Sequence, residues 1–183
     1  MIRLSALNIK EINRKGKWKY SDPELTGVET SSLRIENGHI FVAKPSKTKN
    51  SHGATFCNQA FKKGASLVIS DIEGYQYALT RDLNPAVPFL LVENLGGTLD
   101  YICEKFYPEK PKFVMGITGT NGKTSVVNFS QQLIEQKNKS CVTVGTLGVG
   151  GVINLTTQNT TPDQPFIYRI LQMAKSKGAN YAL

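Results

Sequence analysis

The residues best suited to chemistry stand in one short segment, Thr118-Gly119-Thr120-Asn121-Gly122-Lys123-Thr124. An apolar run of strand length, residues 113–118, precedes it, and residues 124–137 have helical periodicity. Glycines between a strand and a helix let backbone N–H groups face phosphates, and the helix N-terminus adds partial positive charge. The segment therefore predicts a phosphate-binding loop in which Lys123 reaches the β- and γ-phosphates of a nucleotide and the Thr124 hydroxyl binds Mg²⁺.

The match to the strict pattern G-x-x-x-x-G-K-[ST] is incomplete. Ile117 stands five residues before Gly122, and Gly116 comes one residue too early. The alternative interpretation is a Gly-rich turn followed by a surface lysine. The order of strand, turn and helix favours the phosphate loop, because it meets several independent requirements of such a loop.

The elements that would position this loop fall into two segments. In the first, short apolar runs predict buried strands and longer periodic runs predict helices. The strands are expected at residues 39–43, 66–70 and 88–92, and the helices at residues 54–63 and 95–106. Alternating strands and helices predict a small α/β unit with a largely parallel sheet. Two prolines and several charges at residues 107–112 interrupt the pattern, so we predict domains at residues 1–110 and 111–183.

In the second segment, the apolar runs 113–118 and 140–146 predict buried strands. Residues 147–156 are rich in Gly and Val and predict an irregular hairpin. Residues 163–177 predict a helix with Asp163 as N-cap and Gly178 just past its end, and residues 179–183 begin another strand.

Composition narrows the class of protein. The 183 residues are 40% hydrophobic and 20% charged, which is typical of a globular protein. The formal charge of +8 comes from scattered basic residues without interleaved aromatic ones, so no nucleic-acid partner is expected. No apolar run reaches the roughly 18 to 20 residues that span a bilayer, and no cleavable leader is evident, so we expect a cytoplasmic protein without membrane insertion. The three cysteines are far apart and predict buried, reduced thiols.

The loop and its neighbours resemble a known family. The run GITGTNGKTSVVNFSQQL is similar to the nucleotide loop of the Mur ligases, which carry T-G-T-N-G-K-[TS]. The segments VGTLG (144–148) and NTTPD (159–163) follow at the spacing of the members that add the third residue to the cell-wall peptide. Before residue 107, the segments NGHIFVA (37–43), His52-Gly53 and AFKKGASLV (60–68) resemble the uridine-nucleotide-binding domain of the family. The resemblance covers most of residues 28–183.

The resemblance implies a fold and a set of site residues. The fold would be a small N-terminal α/β UDP-binding domain followed by the first part of a P-loop, Rossmann-like central domain. Lys123 would be catalytic and Thr124 would bind the metal. The groups for ATP would be Gly119, Thr120, Asn121, Gly122, Lys123, Thr124 and Ser125, and those for the uridine-nucleotide substrate would be Ser32, Asn159, Thr160 and Thr161.

The resemblance also implies an activity. The implied activity is amide formation that depends on ATP and Mg²⁺. It adds meso-diaminopimelate or L-lysine to UDP-N-acetylmuramoyl-L-Ala-D-Glu through an acyl phosphate. The protein is expected to be a monomer. In the family, the strand that starts near Ala179 leads into Glu-x-Ser-Ser-His, and a carbamylated lysine and the amino-acid-binding domain lie further on. We therefore expect these 183 residues to be an incomplete fragment, inactive in ligation when alone.

Three positions depart from the family pattern. Ser31-Ser32-Leu33 stands where the family has Asp-Ser-Arg, so only Ser32 matches, and His52 replaces an Asp before Gly53.

Other functions stay open: a ligase with another acceptor, as in folylpolyglutamate or cyanophycin synthetases, a P-loop NTPase switch or nucleic-acid-binding ATPase, or a non-catalytic module that binds a nucleotide or UDP-sugar. An NTPase would need a Walker B aspartate at the end of a later strand, and none is evident. The choice between diaminopimelate and lysine also stays open.

Overall fold

The computed structural model describes residues 1–11, 13–18, 21–46, 51–156 and 162–183. Residues 1–106 and 107–183 form two compact units. Each is an α/β unit built on a largely parallel sheet, as predicted for the fold class.

The sheet of the first unit has the order β2-β7-β6-β5-β4. Its strands are β2 (Asn13–Lys15), β4 (Gly27–Glu29), β5 (His39–Val42), β6 (Leu67–Ser70) and β7 (Phe89–Leu91). All neighbours are parallel except β2, which pairs antiparallel with β7. A separate antiparallel pair joins β1 (Ile2–Arg3) to β3 (Glu24–Leu25).

Helices pack on this sheet. They are α1 (Cys57–Lys62), which continues a 3-10 helix at Gly53–Phe56, α2 (Ile72–Leu79) and α3 (Leu95–Phe106). One core cluster joins alternate strand residues, Phe41, Val68 and Phe89, to Cys57 and Ala60 of α1. The intervening strand residues, such as Ile40, Ile69 and Leu90, are buried as well. Strands buried on both faces explain why the sequence shows continuous apolar runs.

The second unit has the sheet order β10-β9-β11-β8. Its strands are β8 (Phe113–Val114), β9 (Cys141–Gly145), β10 (Gly148–Gly151) and β11 (Tyr181–Ala182), and its helices are α4 (Lys123–Gln136) and α5 (Gln164–Ser176). Strand β11 is parallel to both β8 and β9, whereas β10 returns antiparallel along β9. The hairpin expected within residues 147–156 begins earlier in the chain, because β9 (141–145) pairs with β10 (148–151) across a turn at Thr146 and Leu147. Within the expected range, an isolated antiparallel bridge joins Val149 to Leu155.

The predicted buried strand at residues 113–118 is wrong in extent and in burial. Only Phe113–Val114 is a strand, and the side chains of Phe113, Val114 and Met115 are about half exposed. Strand β8 lies at the edge of the sheet, and among the described residues it pairs with β11 alone. Helix α4 buries none of its residues. An apolar run predicts burial only where another layer covers it, and that condition is not met at β8.

Candidate functional site

The predicted phosphate loop lies between β8 and α4. Gly119 has φ +154° and Gly122 has φ +79°. Residues with a Cβ rarely adopt a positive φ, so the two glycines permit this path of the backbone. Gly122 is also the N-cap of α4 and offers no side chain to the first turn. The first amides of an α-helix have no intrahelical acceptor and point towards the helix N-terminus, which here adjoins the loop.

Lys123 is the first residue of α4 and its side chain turns back over the loop. The Nζ atom donates to the carbonyl oxygen of Gly119 at 2.5 Å and to that of Thr120 at 3.2 Å. The ammonium group therefore sits beside the backbone that would surround a phosphate. Thr124 follows on the first turn of the helix, next to the loop.

A cleft of about 160 Å³ opens beside Lys123 and Thr124 within the second unit. Its other polar lining residues are Asn128 of α4, Thr143 of β9, and Thr146 in the turn between β9 and β10. The site prediction did not include these three residues. Asn128 lies four residues after Thr124, a spacing that puts both on one helix face and that could have identified it. Thr143 reaches the cleft because β9 lies beside it in the folded unit, and no local sequence pattern indicates this.

A second, apolar cleft of about 330 Å³ lies close by, and the two clefts share Ile117, Val127 and Val144. Pro162 and Ile167 contribute from the start of α5. Three residues predicted to bind substrate, Asn159, Thr160 and Thr161, lie outside the described residues. Asp163, just after them, caps α5 as predicted, because its carboxylate accepts from the backbone N of Phe166 at 3.4 Å.

Ser32, the remaining predicted substrate residue, lies in a short 3-10 helix of the first unit, Ser32–Arg34. We call residues 31–34 the Ser32 turn. Ser32 itself is buried, with 6% exposure, and its Oγ atom donates to Oε1 of Gln59 at 2.6 Å. Leu33, where the family has Arg, is 70% exposed. Arg34 donates from Nε to Oε2 of the buried Glu29 at 2.9 Å.

His52 stands where the family has Asp, and in this chain it caps a helix. Its Nδ1 atom accepts from the backbone N of Ala54 at 3.0 Å and so caps the 3-10 helix before α1. An Asp at this position could accept the same bond with a carboxylate oxygen. The departure at this position therefore leaves the helix start intact.

The three cysteines are buried free thiols, as predicted. Burial raises the pKa of the Cys57 thiol to about 12. Burial also raises the pKa of Cys141, and the carboxylate of Glu135 raises it further. A raised pKa keeps a thiol protonated and weakly nucleophilic, so neither group is suited to covalent catalysis.

Among the described residues, no three His, Cys, Asp or Glu side chains are grouped to hold a metal ion, and no helix has the length and apolarity to cross a bilayer.

The fold and the loop define a class of protein: an α/β unit with a glycine loop between a strand and a helix, preceded by a separate α/β unit. Residues 117–183 match the model of the Mur ligase middle domain. The chain belongs to the Mur ligase family.

Its relatives align along both units. The chain is 29% identical over 180 residues to the UDP-N-acetylmuramoyl-L-alanyl-D-glutamate–2,6-diaminopimelate ligase of Brucella melitensis, covering 96% of this chain and 35% of that relative. It is 33% identical over 165 residues to the ligase of the same name from Alkalilimnicola ehrlichii, covering 86% of this chain and 33% of the relative. The chain thus spans about a third of the length of the curated relatives that it matches.

Solved structures agree with this assignment. A structure of a UDP-N-acetylmuramoyl-L-alanyl-D-glutamate–2,6-diaminopimelate ligase superposes with a TM-score of 0.71 at 26% identity, covering 99% of this chain and 35% of that one. A MurF structure from Acinetobacter baumannii has a TM-score of 0.51 at 16% identity, and the match covers 88% of this chain and 30% of the MurF chain. This likeness concerns the fold alone.

Proposed function

We propose that the chain supplies two ligand-binding parts of an ATP-dependent ligase of peptidoglycan precursor synthesis. The reaction is the addition of a third amino acid, meso-diaminopimelate or L-lysine, to UDP-N-acetylmuramoyl-L-Ala-D-Glu. The observation that carries the proposal is the glycine loop with Lys123 folded over it, in a chain aligned along 96% of its length with a ligase named for that substrate. Since the chain spans 35% of that relative, we assign ligand binding to these residues and complete ligation to a longer polypeptide.

Lys123 is proposed to hold the β- and γ-phosphates of ATP. Its Nζ atom already lies within hydrogen-bond distance of the loop carbonyls, and a phosphate oxygen in the loop would be a stronger, charged acceptor. In the proposed reaction the substrate carboxylate attacks the γ-phosphorus and ADP leaves. The amine then attacks the acyl carbon, and phosphate leaves as the amide forms. Lys123 would offset the negative charge that gathers on the phosphoryl oxygens, so its contribution is electrostatic.

The loop also fits a magnesium ion. Thr124 provides a hydroxyl oxygen on the first helical turn, and hard oxygen ligands are those that Mg²⁺ prefers. Such an ion usually keeps several waters and is completed by substrate phosphates, so one protein ligand is compatible with binding. When bound, Mg²⁺ would neutralise phosphate charge. The chain's own part is to place the Thr124 oxygen beside the loop.

For the uridine-nucleotide substrate we propose the Ser32 turn and the residues Asn159, Thr160 and Thr161. Hydroxyl and amide groups of this kind can bond to a sugar, a peptide carbonyl or a carboxylate. Because Ser32 is buried and bonded to Gln59, we propose that it acts mainly by shaping the turn.

The test is a calorimetric titration of the chain with ATP in the presence of MgCl₂. Lys123→Ala is expected to weaken ATP binding at least about tenfold, because charge-assisted bonds to phosphate are among the stronger hydrogen bonds. Lys137→Ala is the matched control, since it removes the same charge at the opposite end of α4. Thr124→Val keeps the side-chain shape and should reduce the dependence of ATP affinity on Mg²⁺. Equal ATP affinity for the unchanged chain and Lys123→Ala would exclude the proposed loop function.

A separate titration addresses the acceptor. The chain is expected to bind UDP-N-acetylmuramoyl-L-Ala-D-Glu and not a folate, because its match to a cell-wall ligase covers 96% of the chain and therefore most of the first unit. Preference for the folate would support the alternative acceptor.

A further inference from the structure

Two side chains of the α1 region hold the Ser32 turn from one side. Gln59 accepts the hydrogen bond from Ser32 Oγ at 2.6 Å. Lys63 donates from Nζ to the carbonyl oxygen of Leu33, also at 2.6 Å. The two bonds link positions 27 and 30 residues apart in the sequence, so they are tertiary contacts and not part of the local turn.

The helix that carries these side chains is firmly placed. Cys57 and Ala60 of α1 are buried in the core against the sheet. Gln59 and Lys63 are four residues apart and therefore lie on the same side of the helix end. The backbone N of Lys63 donates to the carbonyl oxygen of Gln59 at 3.1 Å, which keeps Lys63 in the helical path. The turn thus contacts an element that the core holds in place.

A third contact fixes the turn to the sheet. Arg34 pairs with Glu29, whose carboxylate side chain is 1% exposed at the end of β4. The turn is therefore held at Ser32, at the Leu33 carbonyl and at Arg34, while the Leu33 side chain stays exposed to solvent. A turn fixed in this way needs little further ordering when a ligand arrives, and ordering costs reduce affinity.

We propose that Gln59 and Lys63 are positioning residues for uridine-nucleotide binding, and that they act by holding the Ser32 turn in its binding conformation. This inference rests on the proposed function, because the role of the turn in substrate binding is itself part of that proposal. Neither residue needs to touch the ligand. Gln59 also sets the polarity of Ser32: a hydroxyl has one proton to donate, and here it is given to Gln59, so Ser32 Oγ can only accept from other groups.

The experiment is a calorimetric titration of the full chain with UDP-N-acetylmuramoyl-L-Ala-D-Glu, and with UDP as a smaller probe. Gln59→Leu and Lys63→Met are each expected to weaken binding about 3- to 10-fold, because the turn must then be ordered on binding. Lys62→Met is the matched control, since it removes the same charge from the neighbouring exposed position. Gln59→Glu keeps an acceptor for the Ser32 hydroxyl and should retain most of the affinity.

Hydrogen exchange of the backbone amides of residues 32–34 in the unliganded chain gives a second measurement. Exchange should be faster in Gln59→Leu and Lys63→Met than in Lys62→Met, while exchange in the sheet strands stays unchanged. In a double-mutant comparison, Ser32→Ala should add little to Gln59→Leu, because both remove the same bond.

The outcomes separate the two proposals. If the unchanged chain binds the UDP compounds and all variants bind equally well, the positioning role is wrong and the proposed function stands. If Gln59→Glu loses as much affinity as Gln59→Leu, the acceptor role of Gln59 is wrong. If the unchanged chain binds none of the UDP compounds, the proposed substrate is wrong, and the positioning role with it.

Discussion

The imidazole of His52 lies between two partners: its Nδ1 atom accepts from the backbone N of Ala54 at 3.0 Å, and its Nε2 atom is 3.5 Å from Oδ1 of Asp71. Because Nδ1 accepts, the ring proton is on Nε2 and points towards a carboxylate. The Nε2 atom is buried and makes no hydrogen bond of good geometry among the described residues. His52 thus links the start of the helical segment 53–62 to the start of α2, whose N-cap is Asp71.

We expect His52→Ala to lower the free energy of unfolding of the first unit by about 1–3 kcal/mol, because the buried amide of Ala54 loses its acceptor. His52→Asn keeps an acceptor oxygen and should lose less. Urea unfolding followed by the fluorescence of Trp18, the single tryptophan, reports on this unit. Equal losses for the two variants would show that the cap contributes little.

Gly122→Ala should damage the phosphate loop. Its φ of +79° would cost a residue with a Cβ about 1–2 kcal/mol, although no atom within 4 Å would block the new methyl group. Gly116→Ala is the matched control, because Gly116 is equally open and has no positive φ. We therefore expect ATP titration to show weaker binding for Gly122→Ala alone. Similar affinities for the two variants would mean that the loop tolerates another backbone path.

The cysteine thiols should be slow to react. Since the pKa of Cys57 is raised from 9.0 to about 12, its thiolate fraction at pH 8 falls by about 10³-fold, one factor of ten for each unit by which the pKa rises. The contribution of this buried, protonated thiol to the free energy of unfolding is present below pH 9 and is lost as the pH rises towards 12. A disulfide reagent at pH 8 should label three thiols in urea and far fewer in the folded chain. Rapid labelling of Cys57 in the folded chain, identified by mass spectrometry, would contradict this.

The sequence predicts those elements whose determinants are local. Helix α3 falls at the expected residues, and α5 begins after its expected cap, Asp163, and ends before Gly178, which has φ +82°. Helix α2 was not predicted, since it has only eight residues and contains Gly74. Tertiary contacts explain why this position is glycine, because a Cβ there would overlap Ser70 Oγ and His52 Cε1. The periodicity of the sequence does not reveal such contacts.

Some features of the candidate site can be predicted from local sequence, and others depend on tertiary structure. The phosphate loop is visible as a contiguous motif, and its glycines have the backbone conformations that such a motif requires. The bond from Ser32 to Gln59 spans 27 residues, and Thr143 reaches the cleft only through sheet pairing, so neither could be inferred from local spacing. The exposure of the run that begins at Phe113 was also unpredictable, because burial depends on what covers a strand.

The apolar surface of α4 should promote association. Val126, Phe129 and Leu133 lie at spacings of three and four, so they form one stripe, and Phe129 and Leu133 are each 64% exposed. Exposed stripes of this kind favour self-association. We expect Phe129→Gln with Leu133→Gln to reduce binding of a hydrophobic dye and concentration-dependent sedimentation. The free energy of unfolding should change little, because neither side chain is buried.

Ile170→Gln in α5 is the contrasting variant. Ile170 is 1% exposed and packs in the core of the second unit with Val142 and Ala182. A buried polar amide without a partner costs about 1–3 kcal/mol, and the lost packing adds to this, so we expect a lower melting temperature. If the double variant of α4 destabilises the chain as much as Ile170→Gln, then Phe129 and Leu133 are packed against other residues in solution, and the proposed role of the stripe in association is wrong.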